Sequence, residues 1–178
     1  QLRLGKRFEV LTTSGEISAD RLVNAAGAWA TPLAEASGAT PFELSVFKRH
    51  LFVLDSSRSI DPESPAVWNL DKEFYFRPYS GGLLLCVCDA EQVHRLDSNI
   101  DPEIRQHLAE ILWKELPALH DTEQREAWCC FRVFTGDGLP LIGPDPSLPG
   151  FYWVAGLGGY GMSASWEIGR LAALCIAD

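Results

Sequence analysis

Four glycines fall within six residues in the stretch Phe151-Tyr152-Trp153-Val154-Ala155-Gly156-Leu157-Gly158-Gly159-Tyr160-Gly161-Met162, between a short apolar run and a run of helix formers. A turn of this kind lets backbone N–H groups face one point, and a helix N-terminus adds partial positive charge there. The chemistry it offers is the stabilisation of negative charge. Gly156, Gly158 and Gly161 also spell G-x-G-x-x-G, the dinucleotide pattern. That pattern requires a second strand after the helix and an acidic residue about 20 positions on. The sequence stops at Asp178, where the helix is expected to end, so the anion met here is expected not to be a dinucleotide phosphate. Arg132 is the second chemical candidate. Glu126 to Thr135 reads as a strand with Trp128, Cys130, Arg132 and Phe134 on one face, where Arg132 is the single charge. Such an arginine either pairs with an internal carboxylate or is kept for a ligand's. The strand pattern leaves both open.

The remaining reactive side chains offer less. Five cysteines is an odd number without disulfide or zinc spacing. Cys86 and Cys88 are expected to share a strand face, Cys129 and Cys130 to point apart, and all five to act as buried small hydrophobes. His94, His107 and His120 read as surface residues, and no metal site is expected. A hydrolase would need G-x-S-x-G or an equivalent triad, and neither is present.

These groups must be positioned by surrounding elements. Residues 7–12 and 17–25 read as a hairpin about Ser14-Gly15. The second strand runs into Val23-Asn24-Ala25-Ala26-Gly27-Ala28-Trp29-Ala30, where small residues admit another backbone or a ligand. Trp29, Leu33 and Ala36 fall at helical spacing and Gly38 suits a C-cap. Pro41 to Asp55 reads as a long strand interrupted by the charges of Lys48-Arg49-His50, and 56–65 as a surface loop. Strands over 66–70, 73–77 and 83–88 have linkers short enough for an antiparallel meander. Asp101, as N-cap, and Pro102 open a helix whose Ile104, Leu108, Ile111, Leu112 and Leu116 share a face, with Pro117 as stop. Gly136-Asp137-Gly138 is a sharp turn. The final helix, Gly161 to Ala177, is apolar almost all round and is expected to be buried.

The 178 residues allow one domain or two small lobes, and the 47% apolar and 22% charged fractions are those of a soluble globule. The net charge of −9 argues against nucleic acid or an anionic membrane as partner. No apolar run approaches the ~20 residues of a transmembrane helix. The cytoplasm is the expected location, peripheral to a membrane if the protein is a dehydrogenase. Gln1-Leu2-Arg3-Leu4 reads like the middle of a longer chain.

Three landmarks stand in order: Val23-Asn24-Ala25-Ala26-Gly27-Ala28-Trp29-Ala30, then Arg132-Val133-Phe134-Thr135-Gly136-Asp137-Gly138-Leu139-Pro140-Leu141-Ile142-Gly143, then Ala155-Gly156-Leu157-Gly158-Gly159-Tyr160-Gly161-Met162 with Gly169-Arg170-Leu171-Ala172 after it. With Phe74-Tyr75-Phe76-Arg77-Pro78 and Gly81-Gly82-Leu83-Leu84, they make a chain that resembles the D-amino-acid oxidase family of FAD-dependent oxidoreductases, which includes glycine oxidase, sarcosine oxidase and D-amino-acid dehydrogenase. The resemblance covers nearly the whole chain. It implies an α+β fold: an antiparallel or mixed substrate-domain sheet with helices, plus the C-terminal part of an FAD-binding α/β domain. The FAD-domain portions would be 1–40 and 129–178, and the substrate-domain portion 41–128. The family's N-terminal G-x-G-x-x-G unit has no counterpart here.

The resemblance further implies oxidation of an amino acid or related amine by hydride transfer to FAD in the full-length protein. Ala26, Gly27, Trp29, Gly156, Gly158, Gly159, Tyr160, Gly161 and Met162 would be the cofactor-binding residues. Gly158 to Met162 would present N–H groups to the flavin edge that gains charge on reduction. Arg132 matches the arginine that pairs with the substrate carboxylate in glycine-oxidase-like relatives, and Tyr75 matches a pocket tyrosine. Cys130 falls where monomeric sarcosine oxidases attach FAD; a buried thiol is the other reading. Val133 and Gly136 stand where proline is common, Tyr160 where histidine is frequent, and Ser163 where sarcosine oxidases use lysine. The chain alone is expected to be inactive and to hold FAD weakly or not at all, its missing partner being an N-terminal FAD-binding portion. A non-catalytic binding or assembly subunit that keeps the fold is the alternative. Substrate, electron acceptor and oligomeric state are left open.

Overall fold

A computed structural model of the chain describes residues 7–55 and 60–177. The chain divides into two compact units, Gln1–Val46 with Arg132–Asp178, and Phe47–Phe131. These breaks lie a few residues downstream of the expected ones and inside two long strands.

In the first unit, β1 (Phe8–Thr12) and β2 (Gly15–Ala19) form an antiparallel hairpin. The expected second strand over 17–25 is broken at Asp20-Arg21. Its remainder, β3 (Leu22–Asn24), leaves the hairpin and joins a different sheet. A 3₁₀ turn, Gly27–Trp29, leads into α1 (Ala30–Ser37), which ends at Gly38 in the left-handed conformation (φ 73°), the C-cap glycine expected there. Near the end of the chain, β9 (Leu141–Pro144), β10 (Phe151–Ala155) and α3 (Gly161–Ala177) follow one another. The three-stranded sheet has the order β3-β10-β9, with β10 parallel to β3 and antiparallel to β9. Phe8, Ala30, Ala34, Leu148, Phe151, Trp153 and Ala155 make the core. The small residues of α1 let it lie close to β10, as an alanine-rich face permits.

Asp145 organises this core, and sequence reasoning did not single it out. It is 6% exposed. Its carboxylate accepts the Trp153 indole N–H (2.9 Å), the backbone N–H groups of Thr40, Ser147 and Leu148 (2.8–2.9 Å), and the Thr40 hydroxyl (3.0 Å). Burial pushes this carboxyl up, but the Trp153 bond and the Ser147 and Thr40 bonds outweigh it and hold it below the usual carboxylate range.

The second unit is built on the sheet order β5-β6-β7-β4-β8. Its strands are β4 (Leu44–Leu54), β5 (Val67–Asn69), β6 (Phe74–Tyr79), β7 (Gly82–Cys86) and β8 (Gln124–Thr135). β5, β6 and β7 are the expected antiparallel meander. Residues 56–59 of the expected loop lie outside the described residues. β7 ends at Cys86, and Cys88 takes a positive φ of 51°, so these two cysteines do not share a strand face as expected. α2 (Pro102–Lys114) lays Leu108, Ile111 and Leu112 on Phe52, Leu54, Phe74, Leu83 and Leu85.

Lys48-Arg49-His50 does not interrupt β4. Lys48 and His50 are buried, at 6% and 0% exposure. Lys48 Nζ bonds both oxygens of Asp101 (2.8 and 2.9 Å), and His50 Nδ1 lies 2.7 Å from Asp89 Oδ2. Asp101 precedes α2 but makes no side-chain cap, because its carboxylate is committed to Lys48. Burial pushes the Lys48 ammonium down, and the Asp101 hydrogen bond and charge more than reverse this.

The last helix also departs from expectation. Only Ile168 is buried, while Met162, Trp166 and Leu174 are 92%, 85% and 52% exposed. Helix periodicity reports that a face is apolar, not that the described residues cover it. No helix among the described residues is long and apolar enough to cross a membrane.

Candidate functional site

β3 and β10 run parallel side by side, with Asn24 opposite Trp153. Both therefore deliver the chain to the same edge of the sheet. β3 leads into Ala25-Ala26-Gly27 and the turn before α1, and β10 into Gly156 and the turn before α3. The carboxyl ends of parallel strands, with helix N-termini following, are where open α/β sheets bind ligands. The structure thus brings two sets of expected cofactor residues to one edge: Ala26, Gly27 and Trp29 from the first turn, and Gly156 to Met162 from the second.

Local chemistry holds each turn. Asn24 is fully buried, and its side chain donates to the Ala30 carbonyl (2.8 Å) and accepts the Ala26 N–H (3.3 Å). This pins Gly27 in a left-handed conformation (φ 57°) with open space where a Cβ would stand. Gly156 is left-handed too (φ 67°), and a Cβ there would meet Thr135 Cγ2 at 2.7 Å. Phe134 bridges to Leu157 across an isolated strand contact, and its ring underlies Gly158. Trp29 is 55% exposed, and Tyr160 and Met162 are 69% and 92% exposed.

The expected N–H donors sort into two groups. The Gly158 N–H is taken by the Val133 carbonyl (2.9 Å) and the Tyr160 N–H by the Leu157 carbonyl (2.9 Å). These two hold the turn instead of presenting outward, which corrects the expectation that all of Gly158 to Met162 serve as donors. The Gly159, Gly161 and Met162 N–H groups donate to no group among the described residues. The latter two are the first helical amides of α3, which an α-helix leaves without intrahelical partners.

Arg132 joins this turn. A Cβ on Gly159 would lie 3.3–3.4 Å from the Arg132 Cδ, Nε and Cζ, so the guanidinium rests against the bare Gly159 backbone. Among the described residues no carboxylate pairs with Arg132. The structural ion pair left open by the sequence is therefore not formed among them. The buried side of β8 is also not the one expected. Cys129 and Val133 are buried there, whereas Arg132 is half-buried and Cys130 exposed. Cys130 is thus not a buried small hydrophobe. Cys129 is, and burial pushes its thiol up.

Tyr75 lies on β6 in the second unit. Its ring meets Trp68 edge-on at 6.2 Å. Arg77, two residues on, donates to the Pro78 carbonyl and sits over the Tyr79 ring at 5.2 Å. Of the residues that shape the two turns, sequence reasoning did not single out Asn24 and Thr135. Asn24 had a signal, as the single polar residue between a strand and a run of small residues; Thr135 had none.

An edge with two glycine turns and, among the described residues, three unused amides and an unpaired guanidinium suits a cofactor that accepts charge next to a carboxylate-bearing molecule. Residues 1–174 match the family described as FAD dependent oxidoreductase (DAO). The chain is 25% identical over 185 residues to mitochondrial dimethylglycine dehydrogenase of Mus musculus, covering 92% of this chain and 21% of that protein. It is 24% identical over 185 residues to the mitochondrial pyruvate dehydrogenase phosphatase regulatory subunit of the same species, covering 97% and 21%. Among solved structures it is similar to glycine oxidase from Geobacillus kaustophilus, with a TM-score of 0.78 and 25% identity over 97% of this chain and 45% of that one. The chain spans less than half the length of each. With its fold, its glycine turns and this match in agreement, the chain belongs to the DAO family of FAD-dependent oxidoreductases.

Proposed function

We propose that this chain is the C-terminal part of an enzyme that oxidises an amino acid or related amine, and that Arg132 holds the substrate carboxylate. The observation that carries the reading is Arg132 itself, unpaired among the described residues and resting on Gly159 beside unused amides. A bidentate guanidinium suits a carboxylate. FAD, when bound, supplies the two-electron acceptor. Gly159, Gly161 and Met162 would hold it with N–H groups that stabilise negative charge, as preorganised dipoles that need no reorganisation. Ala26, Gly27 and Trp29 form the second wall of the same sheet edge, and Gly158 and Tyr160 keep the turn in shape. Tyr75 offers its hydroxyl and ring as a substrate contact.

The exposed apolar residues of α3 support a further part of the proposal: the working enzyme includes a dinucleotide-binding portion, and this chain alone holds FAD weakly and is inactive. The visible spectrum of the purified chain tests this, because a tightly held stoichiometric flavin contradicts it. Arg132→Ala in the flavin-loaded enzyme tests the substrate role. The expected loss of at least ~2 kcal/mol corresponds to a KM roughly thirtyfold higher for carboxylate substrates. An unchanged KM with a collapsed melting temperature refutes it. The similarity to a phosphatase regulatory subunit favours one second reading, a non-catalytic assembly role. Failure of every amine or amino acid to bleach the flavin of the loaded protein would support it.

A further inference from the structure

The glycine turn before α3 is tied to β8 by a short antiparallel ladder. Phe134 bridges to Leu157 in the antiparallel sense, and the Gly158 N–H donates to the Val133 carbonyl at 2.9 Å. Carried one place further, the same register sets Arg132 opposite Gly159. Residues opposite each other in an antiparallel pair put their side chains on one face. The packing agrees. A Cβ on Gly159 would lie 3.3 Å from Arg132 Cδ, 3.3 Å from Nε and 3.4 Å from Cζ. Three successive atoms at nearly one distance place the end of the arginine along position 159, not end-on to it.

A side chain at 159 would therefore act on the guanidinium first. The two rungs at Val133 and Phe134 hold the backbones in register, so the arginine has to give way. The atoms that must move by a few tenths of an ångström include Nε and Cζ, which set the direction of the fork. Arg132 is half-buried, and no carboxylate among the described residues holds it. Such a side chain loses rotamer freedom when it clamps an anion, and a seat that restricts it beforehand reduces that loss. Bare backbone is a seat that leaves the fork uncrowded.

We propose that Gly159 is a positioning residue: by carrying no side chain it seats the Arg132 guanidinium, and so sets how tightly a substrate carboxylate is held. The proposal rests on the reading of Arg132 as the carboxylate holder. It gives Gly159 a role separate from that of its amide.

The test begins with the whole chain, 15N-labelled, and the Arg132 Nε–Hε cross-peak, assigned by its loss in Arg132→Lys. Gly159→Ala should displace that peak. Gly138→Ala is the control for backbone strain, because Gly138 is also left-handed (φ 74°) but has open space where a Cβ would stand. It should leave the peak in place. An unmoved peak in Gly159→Ala, or equal displacement in both variants, overturns the seat. If Gly159→Ala does not fold, Gly159→Asn replaces it, since asparagine tolerates left-handed backbone better. The flavin-loaded enzyme then gives the affinity for sodium propionate, read from the flavin absorbance. Misplacing the fork should weaken propionate about fivefold in Gly159→Ala. In an Arg132→Ala background the same substitution should change affinity by less than about twofold, because the residue it acts through is gone. Equal factors in the two backgrounds sink the positioning role and leave the amino-acid reading standing. Propionate affinity unchanged by Arg132→Ala removes the carboxylate role itself, and both fall. If Arg132→Ala binds too little propionate to titrate, the comparison of cross-peaks decides.

Discussion

Gly156→Ala separates two constraints on the turn between β10 and α3. The backbone there is left-handed (φ 67°), which costs an L-residue about 1–2 kcal/mol. The new Cβ would also meet Thr135 Cγ2 at 2.7 Å, well inside the ~3.5–4 Å of an ordinary carbon contact. Thr135 cannot swing aside without loss, because its hydroxyl is bonded to Asp137 Oδ1 (2.9 Å) and to the Leu139 carbonyl (2.6 Å). Overpacking of this kind adds about 1–3 kcal/mol, so the single variant should lose about 2–5 kcal/mol. Thr135→Ser keeps the hydroxyl bonds, removes only Cγ2, and should cost about 0.8 kcal/mol. In the double variant the clash is gone and only the backbone cost and the lost methyl remain. The two substitutions should therefore couple favourably by about 1–3 kcal/mol. Urea unfolding followed by tryptophan fluorescence and far-ultraviolet circular dichroism measures all four corners of the cycle. Additivity within about 0.5 kcal/mol would show that the clash is not what excludes a side chain there.

Asp145→Ala should destabilise the first unit by roughly 3–5 kcal/mol, because it orphans the Trp153 indole N–H and three backbone amides, each worth about 1–3 kcal/mol before relaxation. The folded-state pKa of Asp145 lies below its unfolded value of about 3.9, so its contribution is complete above about pH 4 and is lost as the pH falls further. Acid titration of the urea midpoint should show a steeper loss below pH 4 in wild type than in Asp145→Asn, and parallel curves would count against the carboxylate as hub. Lys48→Met removes the partner of Asp101, and because Asp101 is 29% exposed the loss should be about 1–3 kcal/mol, less than for a fully buried pair. The Lys48 pKa is raised on folding, so its contribution is complete below about pH 10.4 and fades as the pH rises beyond that. A wild-type stability curve without an alkaline fall absent from Lys48→Met would refute this.

Local patterns carried much of the architecture. The meander over β5 to β7, the apolar face of α2 and the Gly38 cap depend on nearest neighbours, turn chemistry and helix period, all of which act over a few residues. The break at Asp20-Arg21 was hidden because β3 is a strand in either partnership. Its choice of β10 over β1 is made by residues more than a hundred positions away. Lys48-Arg49-His50 was misread for the same reason: a charged triplet reads as exposed until the fold brings Asp89 and Asp101 to two of its members. The exposure of α3 shows the converse, an apolar pattern without a described partner.

For the site, residue type and order alone pointed to a glycine turn suited to negative charge and to Arg132 as the single charge among Trp128, Cys130 and Phe134 on its strand face. Both follow from backbone freedom and from side-chain alternation, which are local properties. Tertiary structure decided the rest. Parallel pairing of β3 with β10 carries both turns to one edge, the packing of β8 sets Arg132 against Gly159, and carbonyls of Val133 and Leu157 choose which amides stay unused. An N–H group's availability depends on which acceptor the fold puts before it, and no local pattern encodes that.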